Sequence, residues 1–223
     1  MKKFYTSYEG FAIRTIGYNT VRTASFLYFY DWFNKDPRRY ARPEMLFYSA
    51  VPAALITGIL TNPFELVFTR MQAEPMYHKN YRRGYNTFWE GLLKANEERA
   101  LFRGAVSNGL RIAMLLGTMT GLHDWMKENS YYFLGPSEIN RLLATILATT
   151  VGTLASMPFD TLRTRMYLMK PLPNGVLPYS NALDCFSKIT RFETTTKWKG
   201  NFAAFYAGAT TQWLRLLVIF LVS

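Results

Sequence analysis

Two stretches of the chain run uncharged for about the thickness of a bilayer. Met45 to Phe64 (MLFYSAVPAALITGILTNPF) carries no charge until Glu65, and Leu142 to Phe159 (LLATILATTVGTLASMPF) carries none until Asp160. About 20 apolar residues in a helix cross the hydrocarbon core, so both predict membrane helices. Both are rich in Ala, Thr and Gly, small residues that let helices approach closely in lipid. Two buried helices of a soluble bundle would share the pattern, but such helices are usually shorter. A third run, IAMLLGTMTGL after Arg111, is uncharged up to His123.

Both long runs end alike. TNPFELVFTRM (61–71) aligns with SMPFDTLRTRM (156–166) at an offset of 95, pairing Pro63 with Pro158, Glu65 with Asp160 and Arg70 with Arg165. Downstream, the amphipathic stretches GYNTFWEGLLK (84–94) and PYSNALDCFSK (178–188) align at an offset of 94. Repetition at a fixed period means one structural unit used several times. A third copy shows in a later signature, an aromatic residue, one more, a small residue, and an arginine seven further on. It reads Tyr5-Thr6-Ser7 with Arg14, Phe102-Arg103-Gly104 with Arg111, and Tyr206-Ala207-Gly208 with Arg215. The predicted units are 1–39, 40–135 and 136–223, the first holding only its second helix and the last with a short final one. Thr194 to Gly200 reads as an insertion in the third.

Proline removes a backbone donor and kinks or ends a helix. Arg14, Tyr18 and Arg22 lie at helical spacing on one face. An arginine in an apolar helix is costly unless it reaches a partner or a wet cavity. Arg14, Arg111 and Arg215 at equivalent positions are therefore expected to line a common positive funnel. Guanidinium matches carboxylate bidentately, so a dicarboxylate is the natural guest. Snorkelling toward lipid phosphates is the competing use of such side chains.

The formal charge of the 223-residue chain is +11. Its bases are spread along the chain rather than gathered in a tail, which argues against nucleic acid and leaves anionic lipid or an acidic solute. Mean hydropathy is −0.05, close to that of a soluble protein, so the membrane expectation rests on the local runs. One cysteine, Cys185, excludes an internal disulfide, and two distant histidines make a metal site a poor expectation. No phosphate loop, nucleophile elbow or HExxH motif is present, so no enzyme activity is expected. MKKFYTSYEG shows no apolar signal run or Arg-rich leader.

Three units of about one hundred residues with P-x-[DE]-x-x-[KR] closing the odd helices resemble the mitochondrial carrier family. Pro158 to Arg163 matches fully, whereas the copy at Pro63 has Phe68 at the basic position. FYTSYEGFAIRTIGYNTVR, YRRGYNT, LASMPFDTLRTRM and YSNALDCFSKITRFE are most similar to the carriers of 2-oxoglutarate and malate. The resemblance implies an all-α membrane protein, a three-fold pseudo-repeat carrier bundle lacking its first transmembrane helix. About five membrane helices and short matrix helices would remain, multi-pass in the mitochondrial inner membrane. It implies a matrix gate at Pro63, Glu65, Pro158, Asp160 and Arg163, and one remaining third of a cytoplasmic gate at Asp124 and Lys127. It implies substrate contacts at Arg14, Tyr18, Arg22, Arg111 and Arg215, and cardiolipin, the one non-protein component expected, at the helix starts marked by Arg103, Gly104 and Gly208. Loop bases Lys79, Arg82, Arg83, Lys197 and Lys199 could meet anionic headgroups or simply be solvated.

Two functions follow. A missing helix, an incomplete gate and a lost base favour an accessory, structural subunit of a larger respiratory-chain type membrane complex, because alternating access needs two closable gates. The alternative is an active antiporter of 2-oxoglutarate/malate-type dicarboxylates.

Overall fold

The structure is a computed structural model that describes residues 8–34, 43–78, 82–85, 87–123, 125–126, 129, 138–170, 177–192 and 203–222. Every regular element among the described residues is helical. They are α1 (Tyr8–Phe33), α2 (Pro43–Leu60), α3 (Asn62–Ala73), α4 (Phe88–Glu97), α5 (Ala105–Gly117), α6 (Glu138–Leu168), α7 (Ala182–Phe192) and α8 (Ala209–Val222). A π-helical turn, Thr118–Leu122, prolongs α5, and short 3₁₀ turns precede α8 and follow α3. The long helices pack in chain order, α1 on α2, α2 on α5, α5 on α6, and α6 on α8.

The α2–α5 contact shows why small residues fill these helices. A Cβ built on Gly58 would collide with the Cα of Gly109 and lie 2.7 Å from its backbone nitrogen. The two backbones touch, and Asn108 Nδ2 donates to the Gly58 carbonyl at 2.9 Å. Gly58→Ala is expected to cost about 2 kcal/mol by overpacking. Thermal unfolding in detergent should then fall by roughly 4–8 °C. An unchanged midpoint would contradict this packing.

The structure also reconciles low mean hydropathy with apolar helices. The hydroxyls of Thr57, Thr61, Thr149, Thr150 and Thr153 each donate to the carbonyl four residues back, at 2.6–2.7 Å. A threonine so bonded presents its methyl to the packed neighbours rather than an unmet donor. Within α6, Leu142–Leu168 is long and apolar enough to cross a membrane, and Met45–Leu60 with Asn62–Met76 passes as a pair bent by 62°. Among the described residues the other expected spans do not pass on length and apolarity alone.

The two proline turns differ, which corrects the expectation that each ends its helix. In the second unit the helix breaks between Leu60 and Asn62, and Pro63 sits in the first turn of α3, where no N–H is needed. In the third unit α6 runs on through Pro158 to Leu168. The residue before each proline explains the difference. Asn62 donates to the Leu101 and Arg103 carbonyls at 2.6 and 3.3 Å and accepts from Tyr167 Oη at 2.6 Å. Its counterpart, Met157, is buried and has no polar group to hold a turn.

α4 and α7 are the short amphipathic helices. Phe88 and Ala95 of α4 pack against Leu66, Val67 and Tyr167, while Cys185 and Ile189 of α7 pack against Leu162 and Phe205. Each carries the same surface pair, Glu90–Lys94 at 2.6 Å and Asp184–Lys188 at 2.9 Å. The acid precedes the base by one turn, the favourable order. The bond to Glu90 raises the Lys94 ammonium above its ordinary value, and Lys188, then the Ser180 N–H, hold the Asp184 carboxyl below its own. A depressed carboxyl contributes stability above its unfolded value and loses it as pH falls through the folded one, so the Asp184 contribution fades only in acid.

Candidate substrate site and gate

Four helices deliver charge to one point. Glu65 stands in the first turn of α3 because the break at Thr61 turns that helix inward. Asp160 and Arg163 lie one turn apart on α6, Asn108 and Arg111 one turn apart on α5, and Arg14 in the second turn of α1. The prolines set the register, and the side chains then interleave by sign.

Arg14 Nε donates to Glu65 Oε1 at 2.7 Å. Arg163 Nη1 donates to Glu65 Oε2 at 3.3 Å and to Asn108 Oδ1 at 3.4 Å, and Arg163 Nη2 donates to Asp160 Oδ1 at 2.9 Å. Arg111 completes the row, its Nε 3.5 Å from Asp160 Oδ1 without a hydrogen bond. The order is Arg14, Glu65, Arg163, Asp160, Arg111, each acid between two bases. Accessibility is uneven. The Glu65 side chain is 2% exposed, Arg111 10%, Arg163 12%, Asp160 25% and Arg14 28%. A solute can therefore reach Arg14 and Asp160 but not Glu65.

Aromatic rings seat the guanidiniums. Arg14 Cζ lies 4.9 Å from the Phe68 ring centre, Arg163 Cζ 5.3 Å from Tyr167, and Arg22 Cζ 5.9 Å from Tyr18. Such contacts favour a cation over the ring face by about 0.5–2 kcal/mol. Arg22 lines a cavity of about 250 Å³ with Phe26, Ala53, Ala54 and Leu116.

The expected residues fall into separate places. The gate set, Pro63, Glu65, Pro158, Asp160 and Arg163, occupies the two proline turns, and its charged members meet. Arg14 and Arg111, expected in the funnel, join the same network instead of standing apart from it. Arg215 does not join them. It is exposed on α8 and lines a separate groove with Asp160, Thr164 and Gln212. Asp124 and Lys127 lie outside the described residues, as do Lys79, Lys197, Lys199, Tyr5 to Ser7 and the Thr194 to Gly200 insertion. Arg82 Nε donates to the nearby Tyr77 carbonyl, and Arg83 Nη2 donates to the Met169 carbonyl just past the end of α6.

At the helix starts, Arg103 Nη2 donates to the Glu98 carbonyl at 3.0 Å. Gly104 begins α5 with φ 73°, and Gly208 precedes α8 with φ 90°, conformations that suit glycine. The cleft beside Gly104 is lined by Arg99, Arg103, Ser180 and Asn181, so the starts of α5 and α7 face one space.

Sequence inspection passed over three contributors. Asn108 and Asn62 were legible only as amides in apolar surroundings, one turn before Arg111 and just before Pro63. Phe68 was noted only for lacking the charge that Arg163 has at the equivalent position.

Comparison with known proteins follows the same outline. The pattern of the family described as Mitochondrial carrier protein matches residues 44–132 and 136–222. The macronuclear solute carrier homolog CR-MSC of Oxytricha trifallax is 49% identical over 219 residues, covering 98% of this chain and 59% of its own. The probable mitochondrial 2-oxoglutarate/malate carrier protein of Dictyostelium discoideum is 26% identical, covering 96% of this chain and 67% of its own. The mitochondrial 2-oxoglutarate/malate carrier protein of Mus musculus is 25% identical, covering 93% and 67%. The chain thus spans about three-fifths of the length of its Oxytricha relative.

Proposed function

Because this chain belongs to the mitochondrial carrier family, we propose that its arginine face binds a small dicarboxylate and that the protein exchanges such anions across the mitochondrial inner membrane. One observation carries this. Arg14, Arg111 and Arg163 stand against Glu65 and Asp160, and Arg22 lies two turns beyond Arg14 over the Tyr18 ring, so the face carries four guanidiniums and two carboxylates. Two positive charges remain, the charge of one dicarboxylate. Uncompensated cations inside an apolar bundle are costly, and an anionic guest removes the cost.

The substrate carboxylates would take the fork of Arg111, whose Nε has no hydrogen-bond acceptor, and the exposed side of Arg14. Tyr18 and Arg22 continue that face by one and two turns. The Glu65–Arg163–Asp160 row would form the closed matrix-side floor. The relatives named for 2-oxoglutarate and malate support this substrate class. The lost base at Phe68, which favoured an accessory role, weighs less once Arg14 occupies its place. The helix count weighs nothing, since the relatives are longer than this chain. Lipid phosphates, those of cardiolipin foremost, would sit in the cleft where α5 and α7 begin.

The test is uptake of labelled 2-oxoglutarate into liposomes holding this protein and internal malate. Exchange well above empty liposomes is expected, with monocarboxylates failing to compete. Uptake equal to empty liposomes would contradict the proposal.

A second function keeps one observation of its own. The arginines that would receive substrate are already engaged with gate acids, as suits a bundle held shut for good. The chain would then be an accessory subunit of a larger inner-membrane complex. Native electrophoresis of gently solubilised membranes separates the two. Co-migration with a very large assembly supports the subunit, and migration as a small species supports the carrier.

A further inference from the structure

We propose that Arg14 is the gate base of the second unit, replacing in space the charge that Phe68 lacks in sequence, and that this one guanidinium both closes the gate and receives the substrate carboxylate. The second half rests on the dicarboxylate function above, while the first stands on geometry alone.

The repeat shows what is missing. Glu65 corresponds to Asp160 and Phe68 to Arg163 at the same offset of 95. In the third unit Arg163 reaches back one turn to its own acid, Asp160, at 2.9 Å. In the second unit the same step ends on a phenyl ring, which is 5% exposed. A charge arrives from α1 instead. Arg14 lies over the Phe68 ring at 4.9 Å and bonds Glu65 at 2.7 Å. It thus occupies the space a base at 68 would fill and grips the acid such a base would grip. The ring is the seat that holds it there. Gly10, one turn before Arg14, leaves the room α1 needs, since a Cβ there would lie 3.0 Å from Phe88 and 3.4 Å from Phe68.

The substitution changes what the gate can sense. A lysine or arginine at 68 would be covered by α1 and blind to the cavity. Arg14 is 28% exposed, the most open side chain of the network, while Glu65 behind it is 2% exposed. A carboxylate entering the cavity can compete for Arg14 with Glu65. As it gains the guanidinium, Glu65 keeps only Arg163 at 3.3 Å, the longer of its two contacts. Occupancy and loosening of the gate become one exchange of partners. Tyr18 and Arg22, on the same face, lie along the route by which the carboxylate would arrive.

The test compares the full chain with Arg14→Ala, Arg14→Ala/Phe68→Lys and Arg14→Ala/Phe68→Met, reading thermal stability in detergent and 2-oxoglutarate exchange in liposomes. Arg14→Ala should lower the unfolding midpoint. Phe68→Lys should restore most of that loss, because the ammonium meets Glu65 from the vacant base position, whereas uncharged Met should not. Exchange should stay at least tenfold below wild type in the Lys variant, since its charge closes the gate but cannot reach the substrate. Should Arg14→Ala yield no folded protein, recovery of folded protein by Lys and not by Met is the same readout. No loss of stability in Arg14→Ala, equal recovery by Lys and Met, or recovery by neither would overturn the base assignment. Return of exchange in the Lys variant would overturn the dual role. An inactive wild type would remove the transport function and the dual role with it, while the stability comparison still decides the base.

Discussion

Replacing Arg163 by leucine should unfold the protein more readily than any other single change in the charge network. Arg163 is the one base shared by both acids, bonding Glu65 at 3.3 Å and Asp160 at 2.9 Å, and it holds Asn108 at 3.4 Å as well. Its loss leaves Glu65, 2% exposed, with Arg14 alone, and Asp160 with the long contact to Arg111. Removing one partner of a buried ion pair typically costs 3–5 kcal/mol, since the remaining charge stays buried. Asp160 is a quarter exposed and water can reach it, so about 3 kcal/mol is expected. That corresponds to roughly 6–12 °C in the unfolding midpoint for a chain of this size. Arg163→Lys keeps the charge and loses the fork, and should fall between. A midpoint within a degree of wild type in the leucine variant would mean that the network does not hold the bundle together.

Arg111→Ala should behave in the opposite way, leaving stability alone and removing function. Its side chain is 10% exposed, and Nε finds no acceptor although Asp160 lies 3.5 Å away. A cation so placed carries a desolvation cost that one long contact to Asp160 offsets only in part, so deleting it costs the empty protein little. For a bound dicarboxylate the same side chain offers an Nε–H that no hydrogen bond occupies. Truncating one partner of a buried, hydrogen-bonded charge pair costs about 2–5 kcal/mol of binding. Exchange should fall on the order of 100-fold, the equivalent of about 2.8 kcal/mol. The amount of folded protein should not change. Loss of folded protein would make Arg111 a structural residue, and full exchange would remove it from the site.

Much of this was legible in the chain because the fold repeats. The offset of 95 marks Glu65 from Asp160 and exposes Phe68 against Arg163, with no structure needed. The uncharged runs mark α2 and α6, and the seven-residue spacing marks Arg111. What stayed hidden depends on distance in sequence. Arg14 and Glu65 are 51 residues apart, on helices whose crossing no local pattern encodes. The three arginines share a register, yet only two share the network, because Arg215 stands exposed on α8 and lines a separate groove. The different fates of Pro63 and Pro158 turn on one preceding side chain, Asn62 or Met157, and the partners of Asn62 come from the turn between α4 and α5 and from α6. The apolar helices look less apolar than they are, because a threonine donating to its own helix counts as polar in any composition.

The central claim is that the arginine face is a dicarboxylate site. Thermal unfolding of the purified protein in detergent, with and without millimolar 2-oxoglutarate, tests it most directly. A ligand that binds only the folded state raises the midpoint with its concentration. The account predicts a rise with 2-oxoglutarate or malate, none with a monocarboxylate, and none with any of them in Arg111→Ala. A midpoint indifferent to dicarboxylate in the wild-type protein, or an equal rise in Arg111→Ala, would contradict it.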